Sequence, residues 1–192
     1  SITHSFVAGL AAAGMVVVGF EAIILNVMAK VASSVVIAPL LGFAGGFMLM
    51  VFLFWILRNK APASIRSLFS NLQILSAAFM AYSHGKNDGQ MPIGLITMAL
   101  VIYTGQDNLW EQLPYGDLWW VVVLSALAIS SGTAIGGWRV IRTLGMRVTT
   151  LRPVHGFAAE TAGATVIEVA SILGIPVSTT HSTSATVMGV GA

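Results

Sequence analysis

Cysteine is missing from this 192-residue chain, and charge is nearly so: 9 Lys and Arg with 7 Asp and Glu make up only 8% of it. The first absence removes disulfides from consideration and leaves the compartment open. The second excludes an ordinary soluble domain, where about 25% of residues are charged. Hydrophobic residues instead reach 56%, and they come in long runs: Val31–Leu57 and Leu118–Trp138 contain no charged residue at all. About 20 helical residues, each advancing about 1.5 Å, cross the roughly 30 Å of hydrocarbon in a bilayer. Two such runs in so short a chain read as membrane spans rather than buried core helices. Lipid then dictates helix, because backbone polar groups must pair within the segment. The net charge of +2 comes from Lys and Arg in loops and carries no nucleic-acid signal. The expected fold class is an all-α integral membrane protein.

Acids are absent from two stretches that are rich in bases. Arg58–Arg66 holds three cations and Arg139–Arg152 holds four, with no acid in either. The positive-inside rule puts both on the cytoplasmic side of a multi-pass protein of the cell (plasma) membrane. Gln106–Asp117 is the reverse, with Asp107, Glu111 and Asp117 and no base. Trp110, Tyr115, Trp119 and Trp120 gather beside it, as interfacial aromatics do. That loop is expected outside.

Parity constrains what lies between. From Arg66 to Gln106 the chain must cross an odd number of times, yet the polar run Ser83–Gln90 divides two apolar halves. The economical solution is one crossing by a broken helix, 67–105, with the polar run at mid-membrane. Gly85 and Gly89 would permit unwinding, and Pro92 would start the second half-helix.

A repeat organises the rest. Ser1-Ile2-Thr3-His4-Ser5 returns as Ser178-Thr179-Thr180-His181-Ser182, and over 1–15 against 178–192 the copies share Ser, Thr, His, Ser, Ala and Gly. Following the crossings, the helices after the two copies point in opposite directions. That is an inverted repeat, as in many secondary transporters, whose sites lie at the repeat interface near the midplane. The expected organisation is 1–20 as the second limb of a first-repeat hairpin and 21–66 as a link with one transmembrane helix. The second repeat would be 67–192, comprising the broken helix, a transmembrane helix at 118–138 and a re-entrant hairpin at 153–192 that turns at Gly174-Ile175-Pro176. A chain that begins inside a motif is expected to be a piece of a longer protein whose N-terminal repeat lies elsewhere.

Chemistry concentrates in two places. Pro176 precedes the hydroxyls of Ser178, Thr179 and Thr180 at a helix start. Such hydroxyls can cap their own helix, or, with free N–H groups and the positive end of the dipole, receive an oxyanion. Asn87-Asp88 is the second place. A mid-membrane acid costs roughly 2.5–3.5 kcal/mol on insertion scales and marks a functional site by default. Asp88 could hold Na⁺ or a proton, or merely pair with Lys86. Lys86 could compete with Na⁺ for Asp88 and so shift coupling toward protons, or snorkel to water. Glu160, and after it Glu168, are acids of the same kind. His84 and His181 are either proton sites or neutral hydrogen-bonded imidazoles. Gly42, Gly45 and Gly46 suit close helix packing. A hydrolytic triad of Ser178, His181 and Asp88 lacks an elbow motif, so no enzyme is expected.

The run His84-Gly85-Lys86-Asn87-Asp88-Gly89-Gln90, followed by Gly94, resembles the HGANDxQxxxG signature of the PiT inorganic phosphate transporters. Gly174–His181 is similar to that family's GLPVSTTH hairpin tip, and Gly156-Phe157-Ala158-Ala159-Glu160 to its GFxxE entry. The resemblance implies an inverted-repeat symporter, a homodimer, moving inorganic phosphate with Na⁺ or H⁺ as the coupling ion and no other cofactor. It implies that Ser1, Thr3, Asn87, Asp88, Gln90, Ser178, Thr179 and Thr180 contact the substrate. Asn87, Asp88 and Glu160 would serve the coupling ion, with Asp88 the ligand if that ion is Na⁺. Lys86 departs from the small residue usual in the family. Sulfate is the nearest competing substrate, and an uncoupled anion channel the nearest competing activity.

Overall fold

Both apolar runs become helices, one of 33 residues and one of 18. In the computed structural model, which describes residues 1–113, 115–143 and 151–192, all regular structure among the described residues is helical. Helix α1 (Ile2–Val18) is followed by a 3₁₀ turn at Phe20–Ala22, then α2 (Leu25–Leu57) and α3 (Pro62–Thr104). A 3₁₀ segment, Asp107–Gln112, leads to α4 (Trp119–Gly136), α5 (Trp138–Thr143), α6 (Pro153–Ile172) and α7 (Thr179–Gly191). Helices α2 and α4 are both long and apolar enough to span a bilayer. Of the basic stretch 139–152, Arg139 and Arg142 fall on α5, while 144–150 lie outside the described residues.

The expected break in the polar run is not there. Helix α3 is continuous for 43 residues, through His84–Gln90 and past Pro92, a length of about 65 Å at 1.5 Å per residue. Gly85 and Gly89 stay out of the left-handed region, which among the described glycines only Gly19, Gly105 and Gly174 occupy. A glycine inside a helix costs only about 1 kcal/mol, so neighbouring packing can hold both in place. Pro92 therefore sits inside the helix rather than at a start. Lacking an N–H, it leaves the carbonyl four residues earlier, that of Asp88, without its helical donor. The backbone is opened at one carbonyl instead of being unwound.

The interior mixes hydroxyls and small residues with its apolar core, and the outside is large and apolar. Phe52, Phe54, Trp55, Leu75, Ile102 and Tyr103 are exposed, while Ser34, Ser76, Ser83, Thr97, Ser182 and Thr186 are buried, as are Ala158, Ala159 and Ala164. A lipid solvent produces this partition, since it offers no hydrophobic drive between helices and leaves close approach and hydrogen bonding to hold them.

Helices α3 and α6 lie side by side and parallel. Along the pair, Gln73 meets Gly156, Ser76 meets Glu160, Met80 meets Gly163, Lys86 meets Glu168 and Gln90 meets Ser171. Helix α4 runs back along the far end of α3, with Val121 packed near Ile96 and Leu100 and Ile129 reaching Gly89. Helices α2 and α7 approach backbone to backbone. A Cβ added to Gly42 would stand 2.9 Å from the Ser182 carbonyl, one on Gly46 would stand 2.6 Å from the Thr186 carbonyl, and one on Gly189 would strike the Phe43 carbonyl. Gly45 faces Ala162 of α6 across an ordinary 3.6 Å. All three glycines expected to serve packing do so.

The turn from α6 to α7 closes its own hydrogen bonds. Gly174 takes φ +65°, its N–H donates to Ser171 at 3.1 Å, and the Ile175 N–H donates to Ala170 at 2.9 Å. This is the Schellman pairing that satisfies the last carbonyls of a helix, and the proline that follows cannot prolong it. Helices α6 and α7 are joined by this short tip and pack against each other.

Two glycine substitutions should separate these environments. Gly189→Leu forces apart two backbones and should destabilise the protein by about 1–3 kcal/mol or more. Gly85→Ala meets nothing within 4 Å and should be neutral or stabilising by roughly 0.5–1 kcal/mol in a continuous helix. Thermal unfolding of the two variants in detergent checks both. A loss of stability in Gly85→Ala would argue for an unwound segment.

Candidate functional site at the hairpin tip

Two copies of one local structure meet at the tip. Ser1 caps α1 by accepting from the His4 N–H at 3.4 Å, and Ser178 caps α7 by accepting from the His181 N–H at 3.2 Å. The sequence repeat is a structural repeat, serine at the cap and histidine three residues on. The imidazoles of His4 and His181 stack with centroids 6.3 Å apart and planes 30° from parallel. Two helix starts, each with unpaired first-turn N–H groups, are therefore bridged by a pair of stacked imidazoles. Ser178 and Thr179 are buried, as is Thr3, while Thr180 and Ser1 are exposed.

Long helices hold the tip by its carbonyls. The Asn87 amide of α3 donates to the Val177 carbonyl at 3.2 Å, and the Ser34 hydroxyl of α2 donates to the Pro176 carbonyl at 3.0 Å. His4 Nε2 lies 3.4 Å from the same Ser34 oxygen, which ties the first pentad to the second. The Asn87 amide also donates to Asp88 at 3.0 Å, and the other Asp88 oxygen lies 3.0 Å from His84 Nε2. Gln90 donates to Ser171 at 3.2 Å. Buried and without a protein partner nearby on the same elements are the hydroxyls of Ser83 and Ser182.

Several expected sets are divided by this geometry. Lys86 does not pair with Asp88: its ammonium reaches across to Glu168 at 2.6 Å, because successive residues on a helix point about 100° apart. Glu160 is not beside Asp88 either. It accepts from the Ser76 hydroxyl at 2.5 Å, and Ser76 lies 12 residues below Asp88 on α3, about 18 Å along a helix axis. Asn87 and Asp88 are thus brought to the tip, and Glu160 is held apart. No triad forms, since Ser178 engages the His181 backbone and Asp88 engages His84. Ser34 was not foreseen. The signal available was a serine pair, Ser33-Ser34, interrupting an otherwise apolar run.

The donors gathered at this tip are of the kind that suits an anion. Hydroxyls, helix N–H groups and a carboxamide converge on it, and Asp88 supplies one carboxylate beside them. Among the described residues, no group of three or more His, Asp or Glu side chains could hold a metal ion.

The family model for the phosphate transporter family matches residues 1–192. The chain belongs to the phosphate transporter family. A probable low-affinity inorganic phosphate transporter of Rhizobium meliloti is 37% identical over 194 residues, an alignment covering 100% of this chain and 56% of the relative. The protein of the same description from Bacillus subtilis is 34% identical, with the same coverage of 100% and 56%. The chloroplastic inorganic phosphate transporter 2-1 of Arabidopsis thaliana is 40% identical over 132 residues, covering 66% of this chain and 22% of the relative. The chain therefore spans 56% of the length of the two bacterial relatives it matches. No solved structure matches it. Membership in the phosphate transporter family makes this an integral membrane protein and not an enzyme, in keeping with its inside-out distribution of polar and apolar side chains.

In this phosphate transporter family chain the Asn87 contact should govern the order of the tip. Asn87→Ala leaves the buried Val177 carbonyl unpaired, and a hydrogen bond of this kind contributes about 0.5–1.5 kcal/mol. Amide hydrogen exchange over 174–181 should quicken by up to about tenfold. Unchanged exchange would show that Ser34 alone suffices to hold the tip.

Proposed function

We propose that the full-length protein carries inorganic phosphate across the cell membrane as an ion-coupled symporter, and that the tip is its substrate site. The observation that carries this is the meeting of two serine-capped helix starts, with His4 and His181 6.3 Å apart, against Asn87-Asp88. A tetrahedral oxyanion could take hydrogen bonds from the hydroxyls of Ser178, Thr179 and Thr180 and the first-turn N–H groups of α7. Ser1 and Thr3 would contribute from the other start, with Asn87 and Gln90 from α3. The names of the relatives, low-affinity inorganic phosphate transporters, support phosphate as that anion. Sulfate has the same shape and is the competitor to test.

Coupling would run through Asp88. Its carboxylate accepts from the Asn87 amide at 3.0 Å and lies 3.0 Å from His84 Nε2, and its two oxygens would serve either Na⁺ or a proton. Glu160, held by Ser76 about 18 Å along α3 from Asp88, would act as a separate station rather than as a third ligand. In the membrane, loop 58–66 and the stretch 139–152 would face the cytoplasm and loop 106–117 the exterior. The parallel pairings of α3 with α6 and of α2 with α7 support a hairpin that enters and leaves on the cytoplasmic side. An inverted repeat completed by a first half, and a homodimer of such chains, belong to the same proposal.

The test is uptake of labelled phosphate into proteoliposomes holding the full-length protein, with Na⁺ and pH gradients imposed separately and sulfate as competitor. Accumulation against a gradient under one of the two ions is expected, and equilibration without accumulation would indicate a channel. Asp88→Asn should abolish ion-driven accumulation while the protein remains inserted. Ser178→Ala, Thr179→Ala and Thr180→Ala together should weaken phosphate affinity more than a hundredfold, since each hydrogen bond to a charged group contributes roughly 1.5–3 kcal/mol. An unchanged affinity would reduce the hydroxyls to helix caps.

A further inference from the structure

Lys86 and Glu168 form a pair that the substrate site does not use. The ammonium donates to Glu168 Oε1 at 2.6 Å across the α3–α6 seam, with side chains 34% and 21% exposed. Glu168 Oε2 is buried and has no partner at all. The carboxylate stands in the last turn and a half of α6, which ends at Ile172, where the negative end of the helix dipole adds to its charge. Two negative poles converge on one point, and only half of the carboxylate is answered. An acid in that setting calls for a cation, and this chain supplies one covalently, one residue before Asn87.

We propose that the Lys86 ammonium is a tethered counterion, filling at Glu168 a monovalent-cation site that the chain would otherwise load from solution. The fully buried Oε2 marks the unfilled half of that site. Because the charge is attached to α3, it requires no ion to be captured and ordered, and it stays within one residue of the amide that holds the tip. Removing it strands a buried carboxylate, which is strongly destabilising unless another cation replaces it. Na⁺, small enough to enter where an ammonium sat, would then bind and stabilise the fold by mass action. For its effect on uptake the proposal rests on the symport reading above. The binding itself does not.

The experiment measures Na⁺-dependent stability of purified full-length protein, in NaCl against choline chloride at equal ionic strength. Lys86→Ala and Lys86→Gln should melt several degrees higher in Na⁺ than in choline, beyond any Na⁺ response of the wild type. Lys86→Arg, which keeps the charge, should match the wild type, and Lys86→Ala combined with Glu168→Gln should lose the added response. If a neutral variant fails to fold in choline, recovery of folded protein in Na⁺ supports the site, and failure in both salts overturns it. No added Na⁺ response in either neutral variant, or an equal response in the double variant, also overturns it. In proteoliposomes, Lys86→Ala should turn phosphate uptake at least about fivefold more dependent on Na⁺. Absence of phosphate uptake by the wild type would sink the symport reading while leaving the melting result to stand alone.

Discussion

Two backbone carbonyls in a turn between helices, those of Pro176 and Val177, are what the rest of this molecule is arranged around. A tip of this kind ends one helix and starts another, so it gathers carbonyls and N–H groups that no helix can satisfy. In water such groups would be solvated. In a lipid protein they must find partners inside, and Ser34 and Asn87 are those partners, one from each of the two longest helices. Beside these two held carbonyls α7 begins, and its His181 ring stacks on His4 of the first pentad. The site is what remains after the carbonyls have been dealt with.

The packing that allows this is built from absences of side chain. Gly42, Gly46 and Gly189 let α2 and α7 touch through their backbones, which seats Ser182 and Thr186 in the interior and brings Ser34 level with the tip. On the other side, α3 offers α6 a row of polar residues, Gln73, Ser76, Lys86 and Gln90, at helical spacing. Hydroxyl and amide contacts of this sort would be worth little on a water-exposed face. Against lipid, where burial of apolar surface between helices gains almost nothing, they decide which helix faces which.

Much of this was legible in the residues. The repeated pentad announced two equivalent helix starts, and the structure caps both in the same way with Ser1 and Ser178. The Gly-Ile-Pro turn announced the hairpin, and Gly42, Gly45 and Gly46 announced close packing. What could not be read was anything that depends on rotation about a helix axis or on partners far apart in sequence. Lys86 and Asp88 are two residues apart and face different neighbours. Glu160 shares a chemistry with Asp88 and a helix face with Ser76, well away from it. Ser34 and Pro176 are 142 residues apart. The continuity of α3 was missed for another reason: two glycines and a proline are permission to break a helix, not an instruction, and the packing of α4 and α6 along both sides of α3 was enough to overrule them.

The two seams of the hairpin resist sliding unequally. Between α2 and α7, carbonyls stand where a methyl group would collide, so any shift along the axis would drive backbone into backbone. Between α3 and α6 the same hairpin is held by a ladder of long, flexible side chains, Gln73, Lys86 and Gln90 among them, each able to follow a displacement or trade its acceptor for the next one along. The tip, with its hydrogen bonds closed at Gly174 and Ile175, has no slack of its own. Displacement of the hairpin along α2 would thus meet a backbone collision, whereas along α3 it would meet only side chains.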